Sequence, residues 1–498
     1  KAQRSVFVDG LNGSNSNSGV QSAPYSSIQH AINQACDRDT IFLLDGVITE
    51  DSIVVDKDII IASLYARDDD SSHIANTVVD GNNQEAVFYV NVKTNNWNQP
   101  SDTAYKKFIG FTIKNGLKYA GLGGGVNVTR GNIVFRRMNF VNNEGSNGGA
   151  IQVNQDAGTI LVDNSVFTEN TAIQGSAFYA RGGYFIIKRS RFVRNVASQH
   201  STVSFDNWCC GQGGYVNDSK FYFNEAQYYP IGEWKNWIDG QPRTISKNNV
   251  AIGNKASSGS LLRIYSASSG EVVLNNWVIV DNQWPSYRAM IEYNWMILQL
   301  NHSTVSNNKG GKLFSLGEEA KLYVTNSILE HSSDVLEVYS SQTPTTTKTY
   351  FSHVAWNSAT PSNGTHSHVN NISLAGIYYA DSSNGNYRLA RTASVIGAGQ
   401  ASITMGNKTI VSTTKDVLGN SRPNPSGSNP DLGAYETVYL TPQVGINISV
   451  TNPTICDSLS GSVTSLLVNA VGNFTPTWKN YNGDVLGTGV TLSNIGDG

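Results

Sequence analysis

Basic side chains occupy matching places in two segments of the sequence that share one pattern. The six are Arg136, Arg137, Lys188, Arg189, Arg191 and Arg194. A lysine or arginine can act as the base of a polysaccharide lyase, and a group of them can attract an anionic glycan. Arg137 and Arg189 fall in one column with Asn164 between them, which predicts two cations on one face with no carboxylate nearby. A solvated basic face explains the same pattern, so ligand contact by Arg137 and Arg189 and simple solvation both stay open.

Aromatic side chains form the second candidate site. They are concentrated between residues 208 and 293, and they include Trp208, Tyr215, Tyr228, Tyr229, Trp234, Trp237, Trp284, Tyr287 and Tyr293. Aromatic rings on projecting loops can stack on sugar faces. Trp234 and Trp237 lie in a stretch without strand alternation, so we expect at least one of the two rings to be exposed. We predict ligand contacts by Tyr228, Tyr229, Trp234 and Trp237. The alternative is that these rings cover the core beneath long loops.

Residue sets that cleave glycans are not apparent in the sequence. Hydrolases need clustered carboxylates, and lyases on extended β folds need a base, usually beside calcium-binding acids. No column that can be aligned contains either set, so the sequence predicts no catalytic residue and no glycan-cleaving activity. The acidic run 68–70 is interpreted as a solvated loop, with a structural calcium ion as the alternative. No metal site and no cofactor is predicted.

Four cysteines in a chain of 498 residues do not make a disulfide scaffold. Cys36 follows an amphipathic segment and is predicted to be a buried thiol. Cys209 and Cys210 are adjacent in a glycine-rich stretch and are predicted to lie in a loop, with metal binding as a lesser alternative. Cys456 stands alone, so its pairing is not fixed by the sequence.

A repeated unit organises most of the chain. Each unit has an apolar alternating run, an apolar residue and, three positions later, an asparagine. The closing column is Asn115, Asn143, Asn170, Asn195, Asn224, Asn254, Asn282, Asn308 and, in the next equivalent place, His331. The residues three positions earlier are Phe140, Phe167, Phe192, Phe221, Ala251, Ile279, Val305 and Ile328. Such a column must be buried.

A unit of this length, with two or three short strands and no helical pattern, is typical of one turn of a parallel β-helix. Stacked turns place like residues above like, so we expect the four phenylalanines to stack inside the solenoid. Six residues before the closing position stand Arg137, Asn164, Arg189, Asp218, Asn248, Asn276, His302 and Thr325. Asparagine and aspartate tolerate left-handed corners, which makes this a predicted corner column. The solenoid is expected to be right-handed.

Domain boundaries follow from the change of pattern along the chain. Residues 1–39 are predicted to form a strand, a loop and a helix over 25–36 that covers the first turn. Residues 40–437 are the predicted β-helix and 438–445 a linker. Residues 446–498 alternate in short strands about ten residues apart, which favours a small β-sandwich.

Composition excludes several classes of partner. Charged residues are 15 % of the chain, the net charge is -3 and the pI is near 6.3, whereas a nucleic-acid-binding protein usually carries a basic stripe. No apolar run approaches the length of a membrane span, and no signal peptide precedes Lys1. The sequence predicts neither a nucleic-acid partner nor a membrane span in this chain.

Several motifs carry a family resemblance. The start VFVDGLNGSNSNSG, followed by a helix and IFLLDGVITE, resembles the amino end of exported pectate-lyase-like parallel β-helices. Residues 140–143, 148–151 and 167–170 resemble the polymorphic outer-membrane repeat, and 386–399 and 429–436 resemble the closing turns of bacterial surface β-helix proteins. From Cys456 onward, the order of Cys, Gly, Trp, Asn and Gly resembles the Ig-like repeat of large gliding-motility adhesins that use type IX secretion. In that family a second cysteine closes the repeat, so the repeat is predicted to be incomplete here.

The resemblance implies an extracellular, cell-surface adhesin whose β-helix is the distal binding head. Its expected partners are an extracellular polysaccharide or other surface, together with the secretion and surface-anchoring machinery. Gliding motility is one process in which such a head would act. A secreted polysaccharide lyase or glycosidase on the same fold is the first alternative, and a spacer without a ligand is the second.

Overall fold

The computed structural model describes residues 3–91, 106–119, 121–154, 157–207, 213–236, 244–266, 270–293, 296–332, 334–338, 347–357, 365–437, 445–451, 461–468, 475–479 and 485–495. The chain divides into two compact units, Lys1–Thr437 and Val438–Gly498. None of the helices within the described ranges is both long enough and apolar enough to cross a membrane.

The first unit is a parallel β-solenoid of the right-handed type, which confirms the predicted β-helix. Sheet 1 contains Ser5–Val8, Thr40–Leu43, Ile60–Ser63, Lys107–Ile109, Ile133–Arg136, Thr159–Asp163, Tyr184–Lys188 and Gly213–Asn217. Sheet 2 begins with Gly46–Thr49, Thr77–Asp80, Thr112–Lys114, Asn139–Val141, Val166–Thr168, Arg191–Val193, Lys220–Tyr222, Val250–Ile252, Val278–Val280 and Thr304–Ser306. It continues through Lys321–Leu329 to Ile297–Asn301, Glu271–Asn275 and Thr244–Lys247, with Lys348–Trp356 and Thr365–Val369 paired alongside.

Two further sheets complete each turn. Sheet 3 is short and contains Leu117–Lys118, Glu144–Asn147, Thr171–Gln174, Val196–Ala197, Glu225–Ala226 and Lys255–Ala256. Sheet 4 contains Ile53–Val55, Phe88–Asn91, Val126–Arg130, Ile151–Val153, Phe178–Ala180, Val203–Asn207, Gly232–Asn236, Leu262–Ser266, Ile291–Tyr293, Phe314–Leu316 and Leu336–Val338. The apolar core lies between the sheets.

The phenylalanine column is stacked inside the solenoid, as predicted. Ring centroids are 4.8 Å apart for Phe140 and Phe167, 4.9 Å for Phe167 and Phe192, and 4.8 Å for Phe192 and Phe221. All four side chains are fully buried. The spacing equals the separation of neighbouring strands, so each ring sits directly above the one before it.

The closing asparagines form a buried ladder beside these rings. The side-chain oxygen of Asn224 accepts from the backbone N and from Nδ2 of Asn195, both at 3.0 Å. Its own Nδ2 donates to the carbonyl of Phe192 and to Oδ1 of Asn254, both at 2.9 Å. The same pattern continues through Asn143, Asn170, Asn195, Asn254, Asn282 and Asn308. These side-chain amides give hydrogen-bond partners to backbone groups that are buried at the turn and cannot reach water.

The predicted column is wrong by one residue at each end. Gly116, not Asn115, stands at the first ladder position, because its N donates to Oδ1 of Asn143. A Cβ there would collide with the carbonyl of Gly124, so no asparagine fits. In the last unit Val305 pairs with Leu329 rather than Ile328, so the true register lies one position later than the predicted one.

The predicted corner column is confirmed. Backbone φ is positive, between 47° and 56°, at Arg137, Asn164, Arg189, Asp218, Asn248, Asn276 and His302. In the last turn the corner is Asn326 rather than Thr325, because of the same shift by one residue. Within this column the Arg189 side chain is 57 % exposed, whereas Asn276 and His302 are buried.

The amino end differs in part from the prediction. Strand Ser5–Val8 pairs in parallel with Thr40–Leu43, so it already belongs to sheet 1. The helix is Ile28–Gln34, shorter than predicted, and Glu50 accepts from the N atoms of its first two residues. Its apolar face packs into the solenoid core. Two further short helices are Tyr65–Asp68 and Ser72–Asn76. Cys36 is exposed rather than buried, because it follows the helix end and lies outside its apolar face. That the helix covers the end of the solenoid stays a prediction.

Residues 370–437, here called the return segment, were predicted to continue the coils, but among them only Ile372 pairs in parallel with the preceding turn, at Ala355. Its strands form the antiparallel hairpins Tyr379–Asp381 with Asn386–Leu389 and Ser402–Met405 with Lys408–Val411, and a short 3-10 helix spans Ser382–Asn384. Among the described residues, no strand joins the parallel sheets after Val369. The return segment instead packs on the outer wall, where Gly433 N donates to the Asn326 carbonyl and Ala434 N to Thr304 Oγ1. Segments 386–399 and 429–436, which resemble closing turns of a β-helix, therefore pack against the outside of the solenoid instead of forming its last turns.

A buried ionic network fastens the return segment. Arg422 Nε donates to Glu436 Oε2 at 2.9 Å, and neither side chain is exposed. Arg422 also donates to Asn276 Oδ1 and to the Gly433 carbonyl, while Glu436 Oε1 accepts from Asn424 N. The pair therefore ties the segment to a corner of the solenoid.

His302 predicts an acid-sensitive stability. Burial, followed by the charge of Arg422, holds the pKa of His302 well below its ordinary value, so it stays neutral in the fold. The unfolded chain protonates near pH 6.5, so below that pH the unfolded state binds more protons. The free energy of unfolding should then fall by about 1.4 kcal/mol per pH unit from this residue. We expect His302→Asn, which tolerates the same corner, to flatten the slope between pH 6.5 and 5 in urea titrations. An unchanged slope would contradict the assignment.

The second unit is described by itself. It contains an antiparallel sheet of Gly445–Thr451, Gly461–Val468 and Thr491–Ile495, and a hairpin of Thr477–Lys479 and Val485–Thr488. Trp478 Nε1 donates to the Gly489 carbonyl at 2.8 Å. The Ig-like assignment stays a prediction, and Cys456 lies outside the described residues.

Candidate ligand-binding face on sheet 4

The outer face of sheet 4 carries a column of polar side chains in register across five strands. Tyr179 pairs with Ser204, Ser204 with Glu233, Glu233 with Arg263, and Arg263 with Glu292. Side chains on a strand alternate between its two faces, and the flanking residues point into the core. A row of residues that can form hydrogen bonds and ion pairs therefore follows the solenoid axis.

Glu233 lies at the centre of this face. Its side chain is only 3 % exposed although it points outward. Glu233 Oε2 accepts from His200 Nδ1 at 3.0 Å, and Oε1 accepts from Arg263 Nη1 at 3.3 Å. Both oxygens are thus held by side chains that can carry positive charge, as a buried carboxylate requires.

His200 presents one ring nitrogen to the surface. Because Nδ1 faces Glu233, the ring is held with Nε2 directed elsewhere, and no described residue forms a hydrogen bond with Nε2. The side chain is 30 % exposed, and its ring centroid lies 6.0 Å from that of Tyr228. A histidine held by a carboxylate on one nitrogen and open on the other can accept a proton.

Tyr228 and Tyr229 continue the face toward the next turn. Tyr228 is half-buried, whereas Tyr229 is buried beneath the guanidinium of Arg263, which lies 5.5 Å from its ring centroid. Burial raises the pKa of Tyr229 to about 12, so it stays a neutral phenol. Arg288 and Glu292 form an ion pair of 3.5 Å one turn further along.

A second acidic group lies two residues along the same face. Asp206 follows Ser204 by two positions and so points to the same side. Burial first, and then the charge of Asp206, raises the pKa of Tyr179 above its usual value. The repeat pattern in the sequence does not reveal this group of polar residues, because the pattern is aligned on the phenylalanines of sheet 2. Only the register of sheet 4 places residues 204, 206 and 233 together.

Trp234 lies in a strand and points into the core, contrary to the prediction that this stretch forms a projecting loop. Residues 232–236 form a strand, and Trp234 pairs with Phe205 on the inward side. Its ring lies 6.4 Å from Phe205 and 6.0 Å from Trp277, and only 8 % of the residue is exposed. Trp237 and Trp208 lie outside the described residues, so ligand contact by Trp237 stays a prediction.

Arg189 is paired with a carboxylate, contrary to prediction. Its Nε and Nη2 donate to the two oxygens of Asp163 at 2.9 and 2.6 Å. Arg136 and Lys188 flank the same carboxylate at 3.8 and 3.9 Å, because both pair with Asp163 across sheet 1. Asp163 is not part of the corner column in the sequence, because it stands one position before the corner residue Asn164.

Arg137 is held by neighbours of a different kind. Its guanidinium lies 5.5 Å from the ring centroid of Tyr65. With the Asn164 amide oriented so that its oxygen faces the arginine, that oxygen accepts from Arg137 Nε at 2.8 Å. Ligand contact by Arg137 and Arg189 stays a prediction.

Metal-binding geometry is not found in the part of the chain that the structure describes, where no three His, Cys, Asp or Glu side chains converge. In the acidic run, Asp68 Oδ2 lies 3.2 Å from His73 Nε2. Asp70 accepts from the N of Ser72. Cys209 and Cys210 lie outside the described residues.

Comparison with known proteins gives structural likeness only. No protein-family model and no curated protein matches the sequence. Among solved structures, pectate lyase Pel9A is 16 % identical with a TM-score of 0.45, covering 88 % of this chain and 97 % of that chain. XylC in complex with xylose is 8 % identical with a TM-score of 0.33, covering 87 % and 98 %. The GH136 lacto-N-biosidase from Eubacterium ramulus is 8 % identical with a TM-score of 0.27, covering 74 % and 68 %. At these values the likeness carries no argument about activity or ligand.

Proposed function

We propose that this chain recognises an extended polysaccharide along the outer face of sheet 4, as the binding head of an exported cell-surface adhesin. The observation that supports it is the in-register row from Tyr179 to Glu292, with Tyr228 and His200 at its edge. Strands repeat about every 4.8 Å, so a chain of sugars laid along the axis passes one strand of this face at each turn. His200, Tyr228 and Arg263 are the part-exposed groups that would contact it, and the buried Glu233 holds His200 and Arg263 in place.

The chemistry of the face suits a sugar polymer better than a protein. Its groups are charged or hydroxylated, and the aromatic Tyr228 stands beside them half-buried. A polar surface with a ring at its edge can hydrogen-bond sugar hydroxyls and stack on an apolar sugar face. Rigid strands hold these groups in place, which lowers the entropic cost of binding.

The cellular setting rests on the sequence resemblance. We propose that the second unit begins an Ig-like stalk, that type IX secretion exports the protein and that anchoring machinery holds it at the surface. Gliding motility is the process in which such a head would be used. The alternative, a spacer without a ligand, predicts no glycan binding at all. Measuring glycan binding therefore separates a binding head from a spacer.

Replacing Tyr228 should weaken glycan binding. Loss of one stacking ring removes about 1 kcal/mol, which is about a fivefold rise in Kd. We would measure Kd for soluble pectic, alginate and xylan polymers by affinity electrophoresis for the wild type and Tyr228→Ala. Tyr378→Ala is the matched control, since Tyr378 is 57 % exposed but lies in the return segment. Equal affinities for all three proteins, or no binding by the wild type, would refute the proposed surface.

A further inference from the structure

Residues 64–76, here called the strap, lie on the outer face of sheet 1 and contain the short helices Tyr65–Asp68 and Ser72–Asn76. We propose that the strap is a pH-operated cover, which is closed while His73 is protonated and is released when His73 loses its proton. The observation behind this proposal is that both ring nitrogens of His73 face carboxylate oxygens. The device goes beyond glycan recognition and does not depend on it.

An outward column of sheet 1 is apolar in its first four strands and charged afterwards. In register, it contains Phe7, Phe42, Ala62, Ile109, Arg136, Asp163 and Lys188. Apolar side chains on both faces of a sheet indicate that both faces are covered. Leu64 of the strap packs against this apolar cluster. The guanidinium of Arg67 lies 5.7 and 5.5 Å from the ring centroids of Phe7 and Phe42. The strap is therefore the cover that the apolar column needs.

His73 joins the strap to the solenoid by an ionic contact. Its Nδ1 lies 2.7 Å from Oδ1 of Asp45, which follows the strand Thr40–Leu43. Its Nε2 lies 3.2 Å from Oδ2 of Asp68 within the strap. An ionised carboxylate only accepts hydrogen bonds, so both ring nitrogens must carry a hydrogen. Only the imidazolium form has two, so this geometry belongs to the protonated ring. A neutral ring would keep one of the two hydrogen bonds and lose the charge.

Three carboxylates surround His73, and the cation of the strap is turned away from it. Asp70 joins Asp45 and Asp68, since its charge also interacts with that of His73. Arg67 is directed at the aromatic rings instead. The hydrogen bond to Asp45 is the main cause that raises the pKa of His73, while burial opposes it and the charges of Asp45 and Asp68 add to it. His73 therefore keeps its proton to a higher pH in the closed strap than in water.

The sign of the pH dependence follows from this difference. His73 in a released strap titrates near the ordinary value of about 6.5, whereas the closed strap holds the proton above that pH. Closure is therefore fully stabilised below about pH 6.5 and weakens as the pH rises through the raised pKa of the closed state. His302 acts in a different window, because its effect on stability appears below about pH 6.5.

Release of the strap would uncover two features of the outer wall. The first is the stacked pair of Phe7 and Phe42, whose ring centroids are 5.4 Å apart. The second is Arg137, since the ring of Tyr65 in the strap lies 5.5 Å from its guanidinium. A Cβ at Gly110 would lie 2.6 Å from Tyr65 Cδ1, so glycine makes room for that ring in the closed state. The pH would then decide whether Arg137 is held against the strap or is open to a ligand.

Hydrogen exchange of the full chain tests the cover. Amide protection in the strap would be followed by mass spectrometry from about pH 5 to about pH 9, after correction for the intrinsic exchange rate. We expect strap protection to fall by up to about tenfold per pH unit above about pH 6.5, while that of the buried strand Val166–Thr168 stays constant. In His73→Gln the strap should be less protected, and its protection should not vary with pH. Asp45→Asn should move the fall to lower pH, because the ring loses its main charged partner.

His30→Gln is the matched control, since His30 lies on the helix Ile28–Gln34 with its ring packed against Tyr25. This variant should keep the pH dependence of the wild-type strap. Strap protection that does not vary with pH in the wild type would overturn the proposal, and so would a pH dependence that persists in His73→Gln. An equal fall of protection in Val166–Thr168 would mean global unfolding instead of release, which also overturns it.

Discussion

Replacing Asn224 by alanine should lower the free energy of unfolding by several kcal/mol. The substitution leaves the buried backbone N–H of Asn195 without a partner and removes the side-chain hydrogen bonds from Asn224 to the carbonyl of Phe192 and to Asn254. Each such group costs about 1–3 kcal/mol, because it gave up water on folding and regains nothing. One orphaned N–H, together with the lost side-chain hydrogen bonds, makes this one of the two largest stability losses that we predict. Urea unfolding followed by circular dichroism measures the change.

Asn147→Ala is the control for this ladder. Its Nδ2 donates to the Gly121 carbonyl at 3.2 Å in an exposed hydrogen bond, so its loss should cost within about 1 kcal/mol. Equal losses for Asn224→Ala and Asn147→Ala would mean that the ladder stabilises no more than a surface asparagine does.

Replacing Arg422 by methionine should cost about 3–5 kcal/mol, because it leaves the Glu436 carboxylate buried and unpaired. The loss should appear first in the return segment, which Arg422 ties to Asn276. Limited proteolysis should therefore cut within residues 370–437 before the coils unfold. The double variant Arg422→Met, Glu436→Leu should recover part of the stability, since it removes both charges.

A surface ion pair is the comparison for Arg422. Lys312 Nζ lies 2.9 Å from Asp334 Oδ2, with side chains 34 % and 61 % exposed. Solvent screens such a pair, so Lys312→Ala should change the free energy of unfolding by about 0–1 kcal/mol. If Arg422→Met were as mild as Lys312→Ala, or if proteolysis began in the coils, the proposed fastening of the return segment would be wrong.

The solenoid could be predicted from the sequence because its signal is repeated. Phe140, Phe167, Phe192 and Phe221 each sit in the same place of a like unit, so one assignment is checked by its neighbours. Errors appear where that check fails. At Gly116 a side chain would collide with the Gly124 carbonyl, so glycine takes the place of asparagine. The register of the last unit shifts by one position, and no later unit follows with which the assignment could be compared.

The candidate site could not be predicted in the same way. Trp234 and Glu233 are adjacent, and only the register of sheet 4 decides that the indole points inward and the carboxylate outward. His200 and Glu233 are 33 residues apart in neighbouring turns, and no column comparison of sheet 2 brings them together. The packing of the return segment could not be predicted either, because Ala434 contacts Thr304 at a separation of 130 residues and no repeat links the two.

The asparagine ladder sets a rule for how this chain can change in length. Each rung is bonded to the rung of the turn before and the turn after, from Gly116 to Asn308. The length of chain between rungs varies, being shorter from Asn170 to Asn195 than from Asn224 to Asn254. A rung nevertheless cannot be skipped without orphaning a buried backbone N–H. Gene duplication or deletion can therefore lengthen or shorten the solenoid only by whole turns, and each added turn would extend the polar row of sheet 4 by one more strand. Under the proposed function, the number of sugars contacted would then change in discrete steps.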